Sequence, residues 1–214
     1  SSDLTSSEMY KGHKDYVIQE NDSNMFHLHP YSIGKILSHT TVQFYRNHFN
    51  LCFSNGIIFT TESKHKRDEF LLNKLSKHIS SWIIDKKPIV IGSLDSYRNI
   101  IHASDVSKAI KLIIQQNIGD DYLICNSNGA KNTFLVYDLV EKLFKLANIE
   151  LLKEDNIIYD KNSKVPILII ENKNIGFDTY PANISGYPSK LIELGWNSKY
   201  NIDEILFEIF KKYN

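Results

Sequence analysis

Tyr31 and Lys35 stand four residues apart, just after Pro30, in a segment whose spacing predicts a helix. Four residues is about one helical turn, so both side chains leave the same face. An ammonium beside a phenol favours the phenolate and draws its pKa down from about 10. Such a phenol can take a proton from a substrate hydroxyl while a hydride leaves the same carbon. The pair also fits an ordinary contact on a solvated helix face. Upstream, Thr5-Ser6-Ser7-Glu8-Met9-Tyr10 places hydroxyls and one carboxylate at the expected carboxyl end of a strand. That edge is where open α/β sheets take their ligands. A hydroxyl there can hydrogen-bond a reacting oxygen, and Glu8 can remove a carbon-bound proton next to a carbonyl. Glu8 equally fits a solvated carboxylate after an ordinary turn.

These groups need a scaffold, and the pattern supplies one. A helix is expected from Pro30 to about Phe49, with Ile33, Leu37, Thr40, Thr41 and Phe44 near helical spacing. Residues 51–59 read as a buried strand. A helix over 68–84 turns Phe70, Leu71, Leu75, Ile79, Trp82 and Ile83 inward. Strands follow at 88–92 and 121–125, with a helix at 103–116 capped by Ser104 or Asp105. Further helices are expected at 133–147, 188–194 and 202–212, and extended stretches at 149–158 and 165–171. Residues 11–29 read as a surface loop. Strands alternating with helices imply an α/β fold with a mainly parallel sheet. Residues 1–60 and 90–130 are assigned to a partial Rossmann-type layer, and 61–90 and 131–214 to a small α/β substrate lobe.

Apolar residues make up 42% and charged residues 23%, the profile of a folded globular chain. Lys+Arg and Asp+Glu balance at 25 each, which argues against a broad nucleic-acid or membrane-surface binder. No apolar run approaches the ~20 residues that cross a bilayer, and the first residues lack a secretion signal. A cytosolic protein is therefore expected, with Cys52 and Cys125 as buried free thiols in strands. His27 and His29 form an H-x-H without companion ligands, so no metal is expected.

The 5–10 and 30–35 segments together resemble the paired active-site motifs of extended short-chain dehydrogenases. Further segments resemble the GDP-mannose 4,6-dehydratase family: 54–59 with Glu62-Ser63, Ile91-Gly92-Ser93-Leu94-Asp95-Ser96-Tyr97-Arg98 with His102-Ala103, Asp120-Asp121-Tyr122, and 188–191 with Leu194-Gly195-Trp196. Their order and spacing hold from Ser6 to Trp196. The resemblance implies a sugar-nucleotide lyase with NADP as cofactor and GDP-mannose as substrate. Tyr31 would exchange the C4 hydroxyl proton, Lys35 would hold the nicotinamide ribose, Ser6 would polarise the C4 oxygen and Glu8 would remove the C5 proton. Thr61 and Lys66 fall at cofactor contacts, and Lys74 and Arg98 at substrate contacts for the diphosphate. Assembly into homo-oligomers is expected. A dTDP- or UDP-glucose 4,6-dehydratase, a 4-epimerase, or a non-catalytic remnant are the other readings; Ser7-Glu8 favours the mannose enzyme.

The sequence departs from the family at definite places. It contains no G-x-G-x-x-G or G-x-x-G-x-x-G turn for the cofactor pyrophosphate, and its first residues match roughly the fifth strand of the sheet. Thr60-Thr61 stands where the family has Asn-His, Lys64-His65-Lys66-Arg67 where it has paired arginines, and Tyr180-Pro181-Ala182-Asn183 where it has Arg-Pro-Ala-Glu.

Overall fold

The computed structural model describes residues 2–11, 15–25, 29–171 and 183–214. In chain order its elements are β1 (Ser2–Ser6), a 3-10 turn (Ser7–Tyr10), β2 (Asp15–Ile18), α1 (Pro30–Phe49), β3 (Ser54–Ile58), β4 (Thr60–Glu62), α2 (Leu71–Asp85), β5 (Ile89–Ile91), β6 (Tyr97–His102), α3 (Ala103–Ile113), β7 (Asp121–Ile124), a second 3-10 turn (Gly129–Asn132), β8 (Thr133–Leu135), α4 (Val136–Lys145), β9 (Leu151–Glu154), β10 (Ile157–Asp160), β11 (Pro166–Ile170), β12 (Asn183–Gly186), α5 (Ser189–Glu193) and α6 (Ile202–Phe210). The described residues of Ser1–Thr61, Tyr97–Thr133 and Gly176–Tyr200 form one compact unit; those of Glu62–Ser96, Phe134–Ile175 and Asn201–Asn214 form a second.

The first unit is built on a parallel sheet in the order β1-β3-β7, with Thr5 opposite Ile57 and Ile57 opposite Leu123. Successive side chains in a strand point to opposite faces, and the core divides accordingly. Tyr122 and Ile124 join Ile101, Val106, Ile113, Leu191 and Trp196 on the face covered by α3 and α5. Leu123 and Cys125 join Met9, Tyr10, Ile18, Ile57 and Phe59 on the other. The Rossmann-type α/β layer is thus present, with both faces covered as a parallel sheet requires.

The face of α1 turned to this sheet is polar. Ser32, Ile36, His39, Gln43 and Arg46 follow helical spacing, and Ser32 and His39 are buried. Asp121, at the start of β7, receives Gln43 Nε2 at 2.6 Å, Arg46 Nη1 at 2.9 Å and Asn55 Nδ2 at 2.8 Å. Burial pushes the Asp121 carboxyl up, but these donors outweigh it and hold it below its ordinary value. His39, 1% exposed, lies 3.7 Å from Asp121. Burial holds its imidazole below the ordinary 6.5 despite the carboxylate's pull. The apolar stripe legible in the sequence faces outward: Ile33, Leu37 and Phe44 are 50%, 67% and 49% exposed.

In the second unit, α2, α4 and α6 pack on one another. Leu75, Ile79, Trp82, Leu139, Leu143, Ile205 and Ile209 are buried there. Its sheet, β5-β11-β10-β9, is parallel between β5 and β11 and antiparallel elsewhere. Trp82 Nε1 donates to Pro166 O at 2.9 Å, and Lys74 Nζ to Val90 O at 3.1 Å.

Several local expectations are corrected. Cys52 is exposed in the coil before β3, while Cys125 is buried. Only Ser54–Ile58 of residues 51–59 is strand, because pairing with both β1 and β7 begins at Ser54–Asn55. β2 lies inside the expected 11–29 loop and pairs with β12. β6 fills the stretch before α3, and β8 takes the start of the helix expected at 133. Phe70 and Ile83 are exposed, at 40% and 50%. The cap of α3 is His102, whose Nδ1 accepts from Ser104 N at 3.2 Å. Asp105 instead accepts the Lys199 and Tyr200 amides at 2.8 and 3.1 Å, tying α3 to the segment after Trp196.

Replacing Asp121 with Ala strands three donors around a buried site, and urea unfolding should show a loss of about 3 kcal/mol. The pH dependence has a definite sign. The unfolded chain protonates His39 near 6.5 and the folded chain only at lower pH, so stability present above 6.5 falls as the pH drops below it. His78, also lowered by burial, acts in the same direction, whereas the Asp121 contribution is lost only below the ordinary carboxylate value. Urea midpoints should therefore fall between pH 7.5 and 5.5, and the fall should shrink in His39→Gln and shrink further in His39→Gln/His78→Gln.

Candidate active site

The carboxyl ends of β1 and β3 open on one cleft. Ser7, Glu8 and Lys11 line it from beyond β1, Phe59 and Thr60 from beyond β3, Tyr97, Arg98 and Asn99 from β6, and Ile184 from β12. All belong to the first unit. The free space inside is about 20 Å³, room for about one water molecule.

The turn carrying Glu8 is fixed from both sides. Met9 and Tyr10 are fully buried, and the Tyr10 hydroxyl donates to Asp22 O at 3.0 Å. Ser6 caps the turn, its Oγ accepting from Glu8 N at 3.3 Å. That bond occupies an acceptor position, so the Ser6 O–H is still able to donate. The Glu8 carboxylate, with a side chain 38% exposed, pairs through Oε2 with Lys11 Nζ at 3.6 Å.

Helix α1 is stitched to the same strand and turn. Its His29 cap accepts from Tyr31 N at 3.1 Å, and Pro30 occupies the first helical position, where a missing N–H costs nothing. Ser32 Oγ donates to Glu8 O at 3.0 Å. Lys35 Nζ donates to Leu4 O at 2.8 Å and lies 5.8 Å from the centre of the Tyr31 ring. Tyr31 is 51% exposed. Glu8 lies in the cleft, while Ser6, Tyr31 and Lys35 are outside its lining; α1, which carries Tyr31 and Lys35, is bonded to β1 and its turn through Ser32–Glu8 and Lys35–Leu4. Arg98 lines the cleft, its Nη1 donating to Tyr97 O at 2.9 Å.

Thr61 Oγ1 donates to Phe59 O at 3.2 Å. Lys66 and Lys74 belong to the second unit. Lys66 Nζ donates to Glu62 Oε1 at 2.7 Å; burial pushes the Glu62 carboxyl up, and Lys66 only partly offsets it. His102 is buried, caps α3 and stacks on Tyr200 with ring centres 3.9 Å apart. His27 and residues 180–182 lie outside the described residues, among which no group of three His, Cys, Asp or Glu is placed to hold a metal ion. Lys11, Asn99 and Ile184 enter the cleft from outside the motifs read in the sequence. Lys11 had a legible signal, its place three residues after Glu8.

Comparison with known proteins bears on family and fold. The family model described as GDP-mannose 4,6 dehydratase matches residues 3–209. A GDP-mannose 4,6 dehydratase of Dictyostelium discoideum is 26% identical over 97% of this chain and 58% of its own length. One from Yersinia enterocolitica is 24% identical over 96% of this chain and 58% of its own. The chain therefore spans somewhat over half the length of these relatives. Among solved structures, RMD from Pseudomonas aeruginosa complexed with NADPH superposes with a TM-score of 0.74 at 14% identity, covering 99% of this chain and 65% of that one. A dTDP-glucose 4,6-dehydratase from Bacillus anthracis in complex with NAD gives 0.74 at 16%, covering 99% and 60%. The fold is that of these Rossmann-type enzymes, and with a family match running from residue 3 to residue 209, the chain belongs to the GDP-mannose 4,6-dehydratase family.

Proposed function

We propose that this chain is the catalytic portion of an NADP-dependent lyase that converts GDP-mannose to its 4-keto-6-deoxy product. One observation carries the reading: the helix bearing Tyr31 and Lys35 is bonded to the strand and turn bearing Ser6 and Glu8, through Ser32–Glu8 and Lys35–Leu4. A 4,6-dehydration needs an acid–base pair at C4 and a second base at C5, and that juxtaposition supplies both.

The donor set fits the ribose end of a nicotinamide cofactor, with the Lys35 ammonium 5.8 Å from the centre of the Tyr31 ring. The glycine-rich turn that would take its pyrophosphate is not in this sequence, so the residues present would hold the ribose end only. A bound cofactor would supply hydride acceptance from C4 and hydride return to C6. Tyr31 takes the C4 hydroxyl proton as that hydride leaves, and Ser6 donates to the forming carbonyl oxygen. Glu8 then takes the acidified C5 proton, and the C5 electron pair forms the C5–C6 double bond. The C6 hydroxyl departs, and the proton held by Glu8 completes the water; as C6 regains hydride, C5 takes up a proton, balanced by Tyr31 releasing the one it took from the C4 hydroxyl. Since the cleft holds about one water, the hexose lies across its mouth, with Arg98 offering guanidinium N–H groups to the diphosphate. Lys74, Thr61 and Lys66 are the further contacts proposed from the family pattern.

NADP and GDP rest on the family match, as does assembly into homo-oligomers, which the exposed Ile33, Leu37 and Phe44 on α1 support. Two cysteine thiols, Cys52 exposed and Cys125 buried, support a reducing, cytosolic setting.

The native protein, given GDP-mannose and NADP, should release a 4-keto-6-deoxy sugar nucleotide, detected by mass as loss of one water. Tyr31→Phe should lower kcat by about 10²- to 10⁴-fold, measured on protein with an unchanged unfolding midpoint. Glu8→Gln should still oxidise C4 but release no dehydrated product. Full turnover by Tyr31→Phe would overturn the assignment of the phenol.

A further inference from the structure

We infer that Lys11 is a positioning residue for Glu8: it holds one carboxylate oxygen so that the other is presented to the substrate. The inference rests on the proposed reading of Glu8 as the base. Both residues line the same cleft. The ion pair runs from Lys11 Nζ to Glu8 Oε2 at 3.6 Å. The separation is longer than a hydrogen bond, so the attraction is that of opposite charges.

The backbone makes this pair more than a chance contact between mobile side chains. Glu8 and Lys11 bracket Met9 and Tyr10, both fully buried. The turn is closed by Lys11 N donating to Glu8 O at 3.3 Å, capped by Ser6 and pinned through the Tyr10 hydroxyl. Neither backbone position can shift without extracting a buried aromatic ring or a methionine. Lys11 is also the more enclosed partner, its side chain 24% exposed against 38% for Glu8, so it acts as the fixed member. Arg98 shares the cleft, but its bond goes to the Tyr97 carbonyl, which leaves Lys11 as the cation that sets the Glu8 rotamer. A base held within a fraction of an ångström of its proton reacts faster than one sampling several rotamers, without binding substrate more tightly.

Lys11→Met and Lys11→Arg are the test, in the native protein with GDP-mannose. Lys11→Met should lower kcat by about 10²-fold and leave KM within about twofold, because what is lost is orientation rather than affinity. C5 exchange with deuterated solvent should fall in parallel, while transient cofactor reduction from C4 persists. Lys11→Arg should recover most of the exchange. A Lys11→Met protein with unchanged exchange, or equal damage in Lys11→Arg, overturns the inference. The pair is also tested without turnover by a double-mutant cycle of Lys11→Met and Glu8→Gln on the urea midpoint. Additive shifts overturn it; non-additive shifts in a protein that ignores GDP-mannose uphold the pair and reject the dehydratase reading instead.

Discussion

Burial of Met9 and Tyr10 beneath the turn that follows β1 is the constraint on which the site depends. A short turn after a strand would otherwise be free to pivot, since a 3-10 helix of one turn has little stability of its own. With two large side chains drawn into the core shared by Ile57, Phe59 and Leu123, the intervening backbone is immobilised. Glu8 and Lys11 then project from fixed points. The same backbone serves as the anchor for α1, because the Glu8 and Leu4 carbonyls accept the Ser32 hydroxyl and Lys35 ammonium. One buried dipeptide therefore sets the position of a carboxylate directly and of a phenol–lysine pair through two hydrogen bonds.

At the other end of the strands, a polar cluster does the complementary work. Asp121 gathers Gln43, Arg46 and Asn55, so α1 is held at both ends: near its start by the turn after β1 and near its end by β7. Such clusters seldom add stability beyond what apolar packing would give, but they penalise wrong registers heavily, because a misplaced donor is left buried and unpaired. Helix α1 must present Tyr31 and Lys35 at one rotation only. A polar inner face enforces that rotation better than a smooth apolar one.

Much of this was legible in residue types and spacing. The bounds of α1 follow from Pro30 at its start, and the left-handed backbone at Asn50, φ 50°, from asparagine's tolerance of that conformation. The assignment of α/β class followed from the alternation of short apolar runs and helical stripes. The strand β2 was not legible, since Asp15-Tyr16-Val17-Ile18 pairs with Asn183–Gly186 far along the chain, and no local pattern encodes a long-range ladder. Nor was the rotation of α1, whose outward stripe of Ile33, Leu37 and Phe44 mimics a core-facing one. Hydrophobic periodicity assumes that the apolar face goes inward. Here the polar face does, because its partners are themselves polar and buried.

The sequence by itself determined the inventory of chemistry: a tyrosine and a lysine one turn apart, a hydroxyl and a carboxylate after a strand, and the order of motifs that places the chain in its family. Those are properties of neighbours along the chain, fixed by helical and strand geometry. Tertiary structure decided which of them meet. The cleft draws Ser7 and Glu8 from beyond β1, Thr60 from beyond β3, Arg98 from β6 and Ile184 from β12, and only the parallel ladder brings such distant segments to one edge. The pairing of Glu8 with Lys11, though three residues apart, also belongs to the tertiary level. Spacing allows the contact, and the buried ring of Tyr10 fixes the backbone that carries it.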